Sequence, residues 1–240
     1  MDTFSIKVAG CTVELGTVCE KTPLYFKEVL SDEPAVCRVA LSGARIAGAR
    51  PRYTEDADDA FVEFCELSAA VSDALLPRGI GGFHGVAFLY RGRAWIFTGP
   101  SGIGKTTQYI NWKRLYEKEI TMICGDKPFL RREPTGEITV CSSPWCGKER
   151  MKNDIEAPLG GIVCLLQRKE NRIRPLPPGE AAIPLYRQFL SERAAEAAVD
   201  DLLVLERAVL ATTPVWLLEN RGDRLSARLC HDCLFEEENV

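Results

Sequence analysis

The sequence predicts an α/β fold, a mixed sheet with flanking helices, preceded by a small N-terminal β-rich subdomain. Short apolar runs bounded by glycine and proline alternate with amphipathic stretches, and a strand–loop–helix unit lies at the centre of the chain, over residues 94–118. The C-terminal third is rich in alanine, leucine and glutamate, which favours helices. We therefore expect residues 1–78 to form the β-rich subdomain and residues 79–240 the main domain.

The N-terminal part begins with apolar residues that alternate on either side of Ala9 and Gly10, which predicts a hairpin over residues 4–15. Residues 20–60 hold only short apolar groups separated by proline and glycine, so no long helix is expected there. The acidic run at residues 55–59 is typical of an exposed loop. Helical spacing of apolar residues then predicts a helix over residues 61–76.

The remaining elements follow from apolar periodicity and from flanking turn residues. The predicted strands are residues 83–90, 94–98, 120–124, 161–166 and 215–218, with a tight turn at residues 91–93 and hairpins at residues 134–136 and 170–171. The predicted helices are residues 105–118, 180–190, 191–210 and 225–235, the last followed by an acidic tail.

Composition excludes several classes of protein. The 240 residues carry 30 Lys plus Arg and 34 Asp plus Glu, a net charge of -4, and 46% of them are hydrophobic, values typical of a globular chain. We expect no nucleic-acid partner, because such binding depends on neutralising phosphates with a dense basic surface. No apolar run approaches the roughly 18 residues that cross a bilayer. The N-terminus lacks the features of a signal peptide, so a cytoplasmic protein without a membrane span is expected.

The most informative segment is residues 99–106, which read Gly-Pro-Ser-Gly-Ile-Gly-Lys-Thr between a predicted strand and a predicted helix. This is a complete phosphate-loop pattern, in which glycines let successive backbone N–H groups point at phosphate oxygens. Lys105 would contact the β- and γ-phosphates, and Thr106 would bind Mg²⁺. The sequence therefore predicts a nucleotide site formed by Gly99, Ser101, Gly102, Ile103, Gly104, Lys105, Thr106 and Thr107.

A phosphate loop alone does not identify a reaction. An apolar run ends in Gly125 and Asp126 about twenty residues after Lys105, whereas the later apolar strand ends in Gln167, which is not a carboxylate. The sequence contains no Leu-Ser-Gly-Gly-Gln transporter signature and no Asn-Lys-x-Asp guanine-recognition motif. Transporter ATPases and GTPases are therefore disfavoured, and Asp126 is the candidate acid of the site.

The order of His84, the phosphate loop and Asp126 resembles the HPr kinase/phosphorylase family, which is related in its phosphate loop to phosphoenolpyruvate carboxykinases. The segments 143–149 (Ser-Pro-Trp-Cys-Gly-Lys-Glu) and 158–166 (Pro-Leu-Gly-Gly-Ile-Val-Cys-Leu-Leu) look like those of the shorter HPr-kinase-related proteins encoded beside bacterial peptide-maturation genes. The resemblance covers about residues 80–220 and implies a phosphate-loop core of the HPr kinase type.

The resemblance implies an enzyme that uses ATP and Mg²⁺ to phosphorylate a hydroxyl, usually a serine, on a peptide or small protein, and it implies a homo-oligomer. Asp126 would act as the base or as a neighbour of Mg²⁺. His84 would lie near the γ-phosphate, and Lys105 would contact the transferred group. Such transfer depends mainly on positioned phosphates, a cation and a carboxylate that orients the hydroxyl.

The sequence departs from the family at one position that matters. Where the family commonly has two adjacent aspartates, this chain has Asp126 and Lys127. Either one carboxylate would then serve both metal and acceptor, or Lys127 would replace the second carboxylate electrostatically. Glu149 is a candidate second carboxylate, and a solvated glutamate beside Lys148 and Arg150 is the alternative interpretation. An ATP-binding regulatory module without transfer activity and a small-metabolite kinase stay open as alternatives.

Three other features have structural interpretations. A histidine at the start of a strand, such as His84, is usually half-buried and hydrogen-bonded. Cys230 and Cys233 lack the second pair that a zinc site needs, and their spacing of three on a predicted helix favours packing in the core. Cys141 and Cys146 flank Trp145, and nothing else in the sequence supports a redox role for them.

Overall fold

The computed structural model describes residues 2–147, 149–193 and 196–235, and within these ranges the chain has the predicted mixed α/β class. The strands are β1 (Asp2–Val8), β2 (Cys11–Thr17), β3 (Cys37–Ala40), β4 (Ile80–Gly82), β5 (Gly85–Tyr90), β6 (Arg93–Thr98), β7 (Thr121–Cys124), β8 (Phe129–Arg132), β9 (Ile138–Cys141), β10 (Glu156–Gln167), β11 (Arg172–Pro175) and β12 (Val215–Asn220). The helices are α1 (Gly43–Ala49), α2 (Asp59–Leu75), α3 (Lys105–Leu115), α4 (Pro178–Tyr186), α5 (Glu196–Thr212) and α6 (Arg224–Phe235). None of these helices is long and apolar enough to cross a membrane.

A small sheet of three strands forms at the N-terminus. β1 and β2 make the predicted hairpin, and their turn residues Ala9 and Gly10 have φ values of 49° and 79°. Such left-handed turns match the twist of the two strands that they connect. β3 then pairs in parallel with β2, after a 3-10 segment at Thr22–Val29. β3 was not predicted, because four residues with two exposed positions carry little apolar signal.

The main sheet has the strand order β4-β8-β9-β10-β6-β5-β7, and off this path β12 pairs with β10 and β11 pairs with β12. β6, β10 and β12 are parallel, so their carboxyl ends share one edge of the sheet. In α/β sheets, ligands bind beyond that edge. The phosphate-loop segment directly follows β6 and therefore lies at this edge.

Helices cover both faces of the main sheet. Phe88 and Phe97 belong to a buried cluster with Trp112 of α3 and Cys230 of α6. Their neighbours on the opposite face, such as Ile96, belong to the cluster that contains α4 and α5. Because successive side chains of a strand point to opposite faces, the strands are apolar at almost every position rather than at every second one.

The expected hairpin at residues 170–171 is wrong. β10 and β11 do not pair with each other, because β12 lies between them, parallel to β10 and antiparallel to β11. Val215 and Leu218 of β12 are buried, whereas the residues of β11 are largely exposed. The more apolar strand therefore takes the inner position, and β11 occupies the edge.

Several predicted elements are confirmed with altered ends. The helix predicted from residue 61 begins at Asp59, because the Asp58 carboxylate accepts the N–H of Phe61 at 2.8 Å and caps it. The strand predicted from residue 83 begins at Gly85, since the N–H of His84 donates to the Gln188 carbonyl instead of joining the ladder. The predicted acidic tail beyond residue 235 lies outside the described residues.

The N-terminal segment and the main sheet share a core. Phe129, Cys141 and Trp145 belong to the same buried cluster as the apolar residues of β1, β2 and α2. The indole N–H of Trp145 also donates to the Phe64 carbonyl of α2 at 2.6 Å. The division of the chain at residue 78 stays a prediction, but this contact places α2 directly beside the edge that carries the phosphate loop.

Candidate active site

The phosphate-loop segment has a backbone that glycine alone adopts readily. Gly99, Gly102 and Gly104 have φ values of 140°, 77° and 104°, all in the left-handed region that L side chains rarely occupy. Nothing lies within 4 Å of a Cβ built at Gly102 or Gly104, so backbone conformation rather than space selects glycine there. The loop then enters α3, whose first N–H groups have no partner within the helix and can bind an anion.

Lys105 is held against the loop. Lys105 is only 8% exposed, and its ammonium donates to the carbonyls of Gly99 at 3.0 Å and Pro100 at 3.1 Å. Burial lowers the pKa of Lys105, and the nearby Asp126 carboxylate opposes that shift. Lys105 is thus a partly desolvated cation that already points along the loop where phosphates would lie.

Asp126 and His84 meet at the end of β7. The His84 Nε2 atom lies 3.5 Å from the Asp126 carboxylate, and Nδ1 lies 3.2 Å from the Gln188 side-chain oxygen. The backbone fixes this pair, since the N–H of Gly85 donates to the Asp126 carbonyl and the Thr98 hydroxyl donates to the His84 carbonyl. His84 and Asp126, which are far apart in sequence, therefore meet, and the charge of Lys105 is close enough to act on both.

The His84 imidazole is held in its neutral form. Burial lowers the pKa of His84 from its ordinary value of 6.5, the positive charge of Lys105 lowers it further, and Asp126 acts in the opposite direction. Burial is the largest of these effects, because it penalises the charged form of the ring. At neutral pH, His84 can therefore position a hydroxyl or phosphate by hydrogen bonding without adding a charge.

Asp126 lines a cleft of about 490 Å³, which has two walls. The loop wall consists of Ser101, Thr106, Gly125 and Asp126. The aromatic wall consists of Arg52, Tyr53, Phe61 and Phe64 from the N-terminal segment. The aromatic wall was not predicted, because its residues share no motif with the loop and reach the cleft only through tertiary packing.

Glu149 is also in the cleft, close to Asp126. A Cβ placed at Gly147, whose φ is 85°, would lie 3.3 Å from the Asp126 Cβ and 3.6 Å from a carboxylate oxygen of Glu149. The two carboxylates thus flank the backbone of Gly147. The structure brings the second carboxylate that the sequence suggested into the same cleft as the first.

Lys127 lines the cleft but its amine contacts α2. The ammonium lies 3.2 Å from the Ser68 hydroxyl, and the backbone N–H donates to the Trp145 carbonyl at 3.0 Å. Its charge contributes to lowering the pKa of His84. Lys127 therefore ties Asp126 to the N-terminal segment, where a second aspartate would have added negative charge.

The residues present fit a magnesium ion that is bound together with phosphates. Thr106 and Asp126 both line the cleft and supply the oxygen ligands that Mg²⁺ prefers. Among the described residues, no three His, Cys, Asp or Glu side chains converge on one point. A magnesium ion that keeps its waters and phosphate oxygens needs only one or two carboxylates, so the arrangement suits it.

The remaining predicted residues of the site are distributed as follows. Ile103 packs against Gly99, since its side chain lies 3.3 Å from a Cβ placed there. Thr107 is on the first turn of α3 beside Gly222. The ligand roles assigned to these residues and to the loop stay predictions.

The four cysteines that the sequence analysis considered, Cys141, Cys146, Cys230 and Cys233, do not line the cleft. Cys230 is buried as expected, but Cys233 is exposed, so the prediction that both pack in the core is wrong for Cys233. The reason is that α6 packs along a narrow stripe, and Cys233 lies outside it. Cys141 and Cys146 are buried, and burial raises the pKa of both thiols, which disfavours the reactive thiolate.

Comparison with known proteins gives distant structural likenesses. No protein-family model matches the chain, and no curated protein matches it. Among solved structures, the HPr(Ser) kinase/phosphatase from Coxiella burnetii is similar, with 10% identity over 66% of this chain and 99% of that chain and a TM-score of 0.40. Each functional assignment for the present chain therefore rests on its own residues.

Proposed function

We propose that this protein is an ATP- and Mg²⁺-dependent kinase that transfers the γ-phosphate to a hydroxyl, in particular a serine hydroxyl, of a peptide or small protein. The observation that carries the proposal is the meeting of three groups. Lys105 on the phosphate loop, Asp126 and the neutral His84 lie together at the end of the parallel strands. The imidazole beside the Asp126 carboxylate favours transfer, because a site that only bound nucleotide would need no group to position an acceptor hydroxyl.

Each residue of the site has a different role in the transfer. The loop N–H groups and Lys105 hold the β- and γ-phosphates and stabilise the charge that develops on them. Asp126 orients the acceptor hydroxyl and takes its proton as the new oxygen–phosphorus bond forms and the bond to the β-phosphate oxygen breaks, leaving ADP. His84 positions the acceptor or the γ-phosphate by a hydrogen bond. Mg²⁺, when bound by Thr106 and Asp126, neutralises phosphate charge.

A second candidate is supported by Lys127, which lines the cleft at the position of an expected carboxylate. A regulatory module would bind ATP through the same loop but would not transfer phosphate. The two candidates agree on nucleotide binding and differ only on the acceptor. Glu149 favours the kinase, because it returns a second carboxylate to the cleft.

The decisive experiment compares ATP labelled on the γ-phosphate with ATP labelled on the α-phosphate, each incubated with the full-length protein, Mg²⁺ and serine-containing peptides. The kinase transfers label to peptide from the γ-labelled nucleotide alone, and an Asp126→Asn variant transfers at least about 100-fold more slowly. Nucleotide binding with no labelled peptide under any condition supports the regulatory module instead. A matched Asp154→Asn variant, an exposed carboxylate outside the cleft, is expected to transfer at the wild-type rate.

A further inference from the structure

A second cavity of about 490 Å³ adjoins the cleft on the other side of Gly147. It lies between the 3-10 segment Thr22–Val29, α2 and residues 144–147 and 150–152. We refer to it as the basic aromatic groove, and its defining residues are Tyr25, Lys27, Phe61, Phe64, Arg150 and Lys152.

The floor of the groove is aromatic and rigid. Tyr25 stacks on Phe64 with ring centroids 4.9 Å apart, and Phe64 stacks on Trp145 at 6.0 Å. Tyr25 and Phe64 are half-buried and line the groove, so each exposes part of its ring there. Packed aromatic rings bind apolar side chains at low cost in side-chain entropy.

The rim of the groove is positively charged. Lys27, Arg150 and Lys152 line it, against a single carboxylate, Glu28. Lys152 pairs with Glu28 at 2.9 Å, but the Glu28 side chain is 78% exposed, so this pair is readily exchanged for another carboxylate. Arg150 forms no ion pair within 4 Å among the residues that the structure describes. The charge of the rim therefore complements an acidic occupant.

The groove is continuous with the site of phosphate transfer. Phe61, Phe64 and Gly147 line both cavities, and Gly147 presents only hydrogen toward Asp126. A chain lying in the groove would pass Gly147 and reach the Asp126 carboxylate. Two joined cavities of this size fit an elongated substrate better than a small metabolite.

We propose that the basic aromatic groove binds the acceptor as an extended peptide segment, with an apolar or aromatic side chain and a carboxylate side chain close to the accepting hydroxyl. The proposal rests on the proposed kinase function and adds the recognition rule. The aromatic floor holds the apolar side chain, and Arg150 with Lys152 holds the carboxylate.

The test uses three fluorescein-labelled peptides and the full-length protein. The first contains Asp-Asp-Phe-Ser, the second has Lys in place of both Asp, and the third has Gly in place of Phe. We expect kcat/KM for γ-phosphate transfer to be at least about fivefold higher for the first peptide than for either of the others. In an Arg150→Glu variant, the ratio of the acidic to the basic peptide falls by about fivefold or more. A Lys113→Glu variant, an exposed charge change on α3, leaves the ratio unchanged.

The outcomes separate the two proposals. Transfer to all three peptides at similar rates, with a ratio that Arg150→Glu does not alter, overturns the groove and leaves the kinase standing. Transfer to no peptide contradicts the kinase, and fluorescence anisotropy of the same peptides then tests the groove directly. Tighter binding of the acidic peptide that is lost in Arg150→Glu supports the groove, and equal or absent binding of all three overturns it.

Discussion

Different interactions hold the two walls of the cleft in place. Ser101 and Thr106 of the loop wall are fixed by local backbone, since three left-handed glycines and the start of α3 lie within eight consecutive residues. The aromatic wall is fixed by tertiary contacts, because Phe61 and Phe64 are positioned by the packing of α2 on Trp145 and on Tyr25. Under the proposed function the loop wall binds the nucleotide, and the aromatic wall bounds the opposite side of the cleft.

This difference determines how each wall responds to mutation. A change in the loop wall alters ligand binding and leaves the rest of the fold in place. A change under the aromatic wall acts on folding stability first, because the same contacts support the shared core. The substitutions below separate these two responses and are ordered from the largest expected effect to the smallest.

Removing the Lys105 cation of the phosphate loop is expected to have the largest effect. Lys105→Ala is expected to lower the rate of ATP turnover by about 10²- to 10³-fold, because the preorganised charge opposite the transferred phosphate is lost. Steady-state phosphate release measures this. The free energy of unfolding should change little, since the Lys105 ammonium contacts only loop carbonyls. Lys113→Ala, on an exposed face of α3, is the control, and equal turnover in both variants would contradict the assignment.

The aromatic wall depends on a buried carboxylate. Glu63 of α2 is fully buried and accepts the N–H groups of Val18 at 2.7 Å and Cys19 at 3.0 Å, and the hydroxyl of Thr22 at 2.6 Å. Glu63→Ala leaves these donors unpaired and should lower the free energy of unfolding by about 3 kcal/mol, measured by urea denaturation.

The matched control is Glu20→Ala, which removes an exposed carboxylate close to the same turn. It should change the free energy of unfolding by less than about 0.5 kcal/mol. A Glu63→Ala protein as stable as the Glu20→Ala protein would show that side-chain packing alone holds α2 against the N-terminal sheet.

His84 is expected to make the free energy of unfolding depend on pH. Its folded-state pKa is lowered below the ordinary value of 6.5, so the unfolded chain takes up a proton first as the pH falls. The free energy of unfolding therefore decreases as the pH falls below about 6.5. The contribution of His84 to this decrease is less than about 1.4 kcal/mol per pH unit. In the His84→Gln variant, this pH-dependent contribution to the free energy of unfolding is expected to disappear. Urea midpoints of both proteins between pH 5 and 7.5 test it, and parallel curves would contradict a buried, neutral His84.

The smallest effect is expected at Glu149. Glu149→Gln should raise the Mg²⁺ concentration needed for half-maximal turnover by about threefold, since an exposed carboxylate contributes little to each ion contact. The readout is a Mg²⁺ titration of phosphate release at saturating ATP. Glu137→Gln, an exposed carboxylate of the β8–β9 turn, is the control. An unchanged Mg²⁺ requirement would leave Asp126 as the metal's carboxylate ligand.

Local sequence signals predicted the residues of the loop wall. The residues of the aromatic wall and of the groove were not predicted, because only long-range contacts bring them together. The phosphate-loop pattern predicted a role for Lys105, and the apolar run at residues 120–124 predicted one for Asp126, because each signal lies within one element and its turn. Tyr25, Phe61 and Arg150 were missed, since nothing in their local sequence indicates that they meet. The hairpin at residues 170–171 failed for the same reason. Only the pairing of a distant strand shows that β12 lies between β10 and β11.

The central claim is that the loop holds the β- and γ-phosphates beside Asp126. It is tested most directly by calorimetric titration of the full-length protein with ATP and with AMP in the presence of Mg²⁺. We expect ATP to bind at least about 100-fold more tightly than AMP, because AMP lacks both phosphates that the loop contacts, and we expect Lys105→Ala to lose most of this difference. Equal affinity for ATP and AMP, or binding that Lys105→Ala does not affect, would contradict the claim.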